Sequence, residues 1–194
     1  MTATATGSTN QRLRDQFGQY LGQHVLNVGC ASNYEEGCDN LDLDARVNPD
    51  IVARLGDKLP IADNTYDTIV ASHCLEHVPP DDLWAAFNEM HRVLKPKGFL
   101  VAMTPYGSTD DAWDNPHHRQ KFTENTYMYF SKRLYEVQHS GYHAWEGQDY
   151  SDWIIVDMRL IPFPEFQNDP ELDFKKRHYR NVIQELQVVM QAVK

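Results

Sequence analysis

The sequence predicts an α/β fold in which a mostly parallel sheet is covered on both faces, and three observations carry the prediction. Short apolar runs ended by glycine or polar residues alternate with segments of helical periodicity. The early runs are apolar at consecutive positions, as strands buried on both faces are. The residues with chemistry to offer collect just after those runs, and open α/β sheets bind ligands at the carboxyl ends of their strands.

The elements follow in order. Leu13, Phe17 and Leu21 recur at helical spacing and give a short opening helix that Gly22 ends. His24 to Gly29 reads as a first buried strand, Asn40 to Asp44 as a second and Asp50 to Leu55 as a short third. Tyr66 to Ser72 is a fourth and Gly98 to Met103 a fifth. Between these two, Leu83, Phe87, Met90 and Leu94 mark a helix, with Asp81 and Asp82 at the positive end of its dipole and Pro96 and Gly98 past its end. Tyr127, Phe130, Leu134 and Val137 predict a further helix ending before Gly141. Trp153 to Leu160 is rich in β-formers, and Tyr179, Val182, Leu186, Val189 and Val193 predict a C-terminal helix over about 171–193.

Composition narrows the class. With 194 residues, the chain suits one domain with a real core; residues 1–10 read as a flexible polar tail and 11–194 as the domain. No run approaches the roughly 18 apolar residues of a membrane span, and MTATATGSTNQRLRDQ lacks the apolar centre of a secretory signal. A net charge of −10 disfavours a nucleic-acid partner. Cys30, Cys38 and Cys74 form no C-x-x-C and leave one thiol over in any disulfide scheme, which points to a reducing, cytoplasmic setting.

Four strand ends converge on one crevice: Gly29-Cys30-Ala31-Ser32, Asp42 to Asp44, Ser72-His73, and Thr104-Pro105-Tyr106. The third runs into SHCLEHVPP, which contains His-x-x-Glu-His, a zinc-binding pattern when both histidines share one continuous helix. Here YDTIVAS is β-rich, so His73 falls at a strand end, and Pro79 and Pro80 forbid an unbroken helix beyond. A zinc hydrolase is therefore the least favoured reading, and no metal is assigned.

The segments LNVGCAS, NLDLD, GDKLPIADNTYDTIVASHCLEHV and EMHRVLKPKGFLVAMTP, in that order from Val25 to Pro105, resemble a class I S-adenosylmethionine-dependent methyltransferase of the type 11 kind. The resemblance implies a Rossmann-like, doubly wound, seven-stranded sheet, mostly parallel with a C-terminal antiparallel strand, and S-adenosyl-L-methionine as cofactor. It places Asn27, Gly29, Cys30 and Ala31 at the methionine moiety, and Asp42, with Asp44 in reserve, at the ribose hydroxyls. Asp57 falls at the adenine amine, and Ser72 and His73 beside the cofactor. The chain departs from the family's common pattern in three ways: one glycine follows the first strand, only eleven residues separate Gly29 from Leu41, and Asn27 replaces an acidic residue.

The acceptor side is expected in the loop after strand five, a mobile lid over 105–122. His117 and His73 are the candidate general bases; His118 and His143 read as surface residues. Tyr106, Trp113, Phe122 and Tyr127 either line a substrate pocket or pack the lid. The expected activity is methyl transfer to an oxygen or nitrogen atom of a small molecule, sugar or peptide. The competing expectation is a methyltransferase-fold binding or scaffold subunit without catalysis.

Overall fold

The structure, a computed structural model, describes residues 9–138 and 150–194. His143 and residues 1–8 of the expected tail lie outside the described residues. A seven-stranded sheet runs in the order β3-β2-β1-β4-β5-β7-β6. Strands β1 (Val25–Val28), β2 (Asp39–Asp42), β3 (Ile51–Val52), β4 (Tyr66–Ser72) and β5 (Leu94–Pro105) pair in parallel. Strands β6 (Asp152–Pro162) and β7 (Ile183–Val193) add an antiparallel end. The chain starts at the middle of the sheet with β1, moves to one edge, and returns to β4, so the switch point lies between β1 and β4, where such sheets open a crevice.

Helix α1 (Thr9–Phe17) and helix α2 (Leu83–Val93) lie on opposite faces. On the α2 face, Leu26, Ile69, Leu100 and Val188 of the strands meet Phe87 and Met90, all fully buried. Phe87 stacks on Phe130 with ring centroids 3.6 Å apart and an interplanar angle of 9°. The α1 face is thinner: Phe17 packs on Val70, Val101, Met103 and Val189. Burying a side chain such as Phe17 contributes about 1.5–3 kcal/mol.

No helix joins β1 to β2, and two buried asparagines stand in its place. Asn27 donates through Nδ2 to the Asn33 carbonyl (3.1 Å) and to Asn40 Oδ1 (2.9 Å). Asn40 Oδ1 also accepts from the Glu35 amide (2.9 Å), and its Nδ2 donates to the carbonyls of Glu35 and Cys38 (both 3.1 Å). The side-chain amides thus supply partners to backbone groups of Asn33, Glu35 and Cys38, as a helix does for its own backbone.

Three expectations are corrected. The C-terminal helix over 171–193 is a short helix α6 (Leu172–His178) followed by β7. Strand β7 sits between β5 and β6 and is buried on both faces, so its apolar positions do not alternate, and their three- and four-residue spacing mimics a helix. The left-handed Asn181 (φ 57°) separates the two. The helix expected through Val137 is split into α4 (Glu124–Met128) and α5 (Lys132–Gln138), numbered after the single turn α3 (Asp111–Asp114), and Val137 is 75% exposed. Finally, Leu94 opens β5 rather than closing α2.

Candidate cofactor and acceptor site

The carboxyl ends of β1, β2 and β4 enclose a cavity of about 460 Å³, within the usual size of a small-molecule site. Gly29 turns the chain out of β1 at φ +67°, and a Cβ there would lie 2.4 Å from Cys74 Sγ, so glycine is required for both conformation and room. The Gly29 and Cys30 amides both donate to the Leu41 carbonyl, at 2.8 and 3.2 Å, which binds the loop to the end of β2. Asp42 completes the corner: its carboxylate accepts from the amides of Ala31 and Asp44, each at 2.8 Å, while facing the cavity.

Asp44 points elsewhere. Arg46 grips it at 2.6 Å and, with the Arg46 amide, holds its carboxyl down at about 2. Of the two ribose candidates, only Asp42 lines the cavity. Asp57 is exposed, pairs with Arg54 at 3.2 Å, and is not on the wall, which Arg54 and Leu55 form instead. Asn27 and Cys30 are buried beneath the loop, and Ser72 stops short of the wall; Ala31 and His73 are on it.

His73 has a left-handed backbone (φ 51°) that turns its ring toward Glu185 on β7. Its Nε2 lies 2.9 Å from Glu185 Oε2 and its Nδ1 3.5 Å from Glu76 Oε1. Glu185 first, then Glu76, raise its pKa to about 10. The two carboxylates thus favour the imidazolium form of His73. Burial pushes the Cys74 thiol up to about 12, so this wall residue stays a neutral thiol.

The segment after β5 is tied down. Tyr106 bridges Phe122, the Gly107 amide donates to the Phe122 carbonyl at 2.7 Å, and Trp113 Nε1 donates to the Gly107 carbonyl at 2.9 Å. The amides of Arg119 and Gln120 donate to the Glu76 carbonyl at 2.6 and 3.0 Å, which brings Arg119 onto the cavity wall. The histidine pair divides in a way the sequence does not foretell: His117 is exposed and offers its carbonyl to His77 Nδ1 at 3.2 Å, whereas His118 is buried. Phe122 and Tyr127 belong to the core, Tyr106 is buried and donates to Glu124 at 2.8 Å, and Trp113 is exposed.

Residues 5–102, just over half of the chain, match the family model described as a methyltransferase domain. The chain belongs to this family. S-adenosylmethionine is accordingly its cofactor, and the cavity suits it: one carboxylate for hydroxyls and apolar walls from Leu41, Leu43, Leu55 and Val78 for a flat base. Over 102 residues the chain is 36% identical to the ubiquinone/menaquinone biosynthesis C-methyltransferase UbiE of Haemophilus ducreyi, a match spanning 52% of this chain and 38% of that protein. A SAM-dependent methyltransferase from Archaeoglobus fulgidus has the same fold (TM-score 0.63, 16% identity, 93% of this chain and 91% of that one). So does the Burkholderia thailandensis 1,6-didemethyltoxoflavin-N1-methyltransferase, solved with its substrate and S-adenosylhomocysteine (TM-score 0.56, 16% identity, 95% and 76%).

Several wall residues carried no sequence signal. Cys74, Val78 and Arg119 reach the cavity only because the Leu75–His77 turn and the loop latched to Glu76 fold back over β4. Leu43, 65% exposed between two aspartates, also lines the cavity.

Proposed function

We propose that the chain transfers a methyl group from S-adenosylmethionine to an oxygen or nitrogen atom of a small-molecule, sugar or peptide acceptor. The observation that carries this reading is the cavity itself, lined by Gly29, Asp42, His73, His77 and Arg119. The cofactor, when bound, supplies an electrophilic methyl group on a sulfonium. The chain's own part is to hold donor and acceptor in line at contact distance. Asp42 accepts the ribose hydroxyls, Leu43 covers the adenine, and Gly29 and Ala31 leave the backbone open to the methionine moiety. The His73 cation and Arg119 orient an acceptor bearing negative charge.

A carbon acceptor is the second reading, favoured by the likeness to a protein named a C-methyltransferase. No helix among the described residues is long and apolar enough to cross a membrane. The test is an assay of methyl transfer from labelled S-adenosylmethionine to a metabolite panel, with the methylated atom located by NMR. Labelling of at least one acceptor supports the reading. Cofactor binding without transfer to any class of acceptor would favour a scaffold role.

A further inference from the structure

Beside the cavity lies a buried carboxylate. Glu76 is 2% exposed, yet among the described residues neither of its carboxylate oxygens has a hydrogen-bond partner. Burying a carboxylate is strongly unfavourable unless donors or a cation reach it. His73 comes nearest in charge, but its Nδ1 stays 3.5 Å from Glu76 Oε1 and its Nε2 is given to Glu185.

Two more histidines approach the same carboxylate. One ligand atom from each of Glu76, His77 and His118 lies within 4.8 Å of the other two. Both rings are oriented by backbone carbonyls: His77 Nδ1 donates to the His117 carbonyl at 3.2 Å, and His118 Nδ1 to the Asp111 carbonyl at 3.0 Å. With the proton on Nδ1, each neutral ring carries its lone pair on Nε2. That tautomer, fixed by a hydrogen bond from the other nitrogen, is the one metal-ligating histidines adopt.

We infer that Glu76, His77 and His118 form a binding site for a first-row divalent transition-metal ion. Two imidazoles and one carboxylate suit such ions better than Mg²⁺ or Ca²⁺, which prefer all-oxygen shells. Ligand atoms about 2.1 Å from one ion lie at most about 4.2 Å apart, so binding draws the set together by a fraction of an ångström or more. The exposed His77 ring has the freedom to supply that movement. Three protein ligands leave positions open, and His77 lines the cavity, so the site adjoins it. On the methyl-transfer reading, on which this role rests, the ion polarises an acceptor oxygen and lowers its pKa.

Titration of chelator-treated protein with Co²⁺, followed by visible absorption, tests the site. One equivalent should bind with d–d bands of a low-symmetry nitrogen and oxygen shell, and Glu76→Gln and His118→Ala should each weaken binding about tenfold or more. Neither residue lines the cavity, so S-adenosylhomocysteine affinity in those variants should stay within about twofold of wild type by calorimetry, which also shows that they fold. His77→Ala, at an exposed position, keeps the test decisive if a buried substitution fails to fold: it too should lose the bands. No stoichiometric Co²⁺ in the wild type, or His77→Ala binding as the wild type does, overturns the proposal. Co²⁺ binding without any S-adenosylhomocysteine binding would uphold the metal site and defeat the methyl-transfer reading instead.

Discussion

Replacing Asn40 with leucine should be among the most damaging single changes to this fold. Its side chain is fully buried, and it accepts from Asn27 and the Glu35 amide while donating to the carbonyls of Glu35 and Cys38 and to Asp50. Leucine has the same number and branching of heavy atoms, though a larger volume, and offers no polar atom. Asn27 would keep its bond to the Asn33 carbonyl, whereas the Glu35 amide and carbonyl would lose the side-chain partner that holds them. At about 1–3 kcal/mol for each buried group left unsatisfied, the loss comes to about 3–5 kcal/mol, a large share of a typical domain's stability. Urea denaturation followed by tryptophan fluorescence measures it, and the m-value should stay unchanged if only the native state is affected. A loss below about 1 kcal/mol would refute the argument that the asparagine pair replaces the missing helix.

Two further predictions rest on the same geometry. The His73 pKa near 10 exceeds its ordinary value of 6.5, so the stabilisation it contributes is complete below about pH 6.5 and drains away as pH rises through about 10. Because 48% of the side chain is exposed, solvent screening reduces that contribution to about 1 kcal/mol; Glu185→Gln should flatten the pH dependence over this window, and an NMR titration placing His73 near 6.5 would contradict it. Phe87→Ala removes the ring stacked on Phe130 in the centre of the α2 face and should cost about 3–5 kcal/mol by thermal or chemical unfolding; a cost near 1 kcal/mol would mean that this face repacks freely.

Most of the parallel half of the fold is legible in the sequence because its punctuation is strong. Gly29, the Asp81-Asp82 pair and Pro96 bracket β1, α2 and β5 to within a few residues. In the C-terminal third β6 is legible from the β-formers of Trp153 to Leu160, but β7 is not, since a strand buried on both faces loses its two-residue alternation and looks helical. The site divides in the same way. Gly29, Asp42 and His73 could be picked out because strand ends in such a sheet must face the crevice. The charge on His73 could not, because it depends on Glu185, 112 residues away in sequence. Nor could the inward turn of His118 and outward turn of His117, which follow from the latch of Arg119 and Gln120 onto Glu76.

Calorimetric titration of S-adenosylhomocysteine into the wild type and Asp42→Ala tests the central claim, that this cavity is the cofactor site of a methyltransferase. The wild type should bind one equivalent. The variant loses a carboxylate that lines the cavity while Asp44 stays committed to Arg46. It should bind more weakly by about 1.5–3 kcal/mol per hydrogen bond lost, or roughly 10- to 100-fold. Absence of binding by the wild type, or equal affinity in the two proteins, would contradict the account.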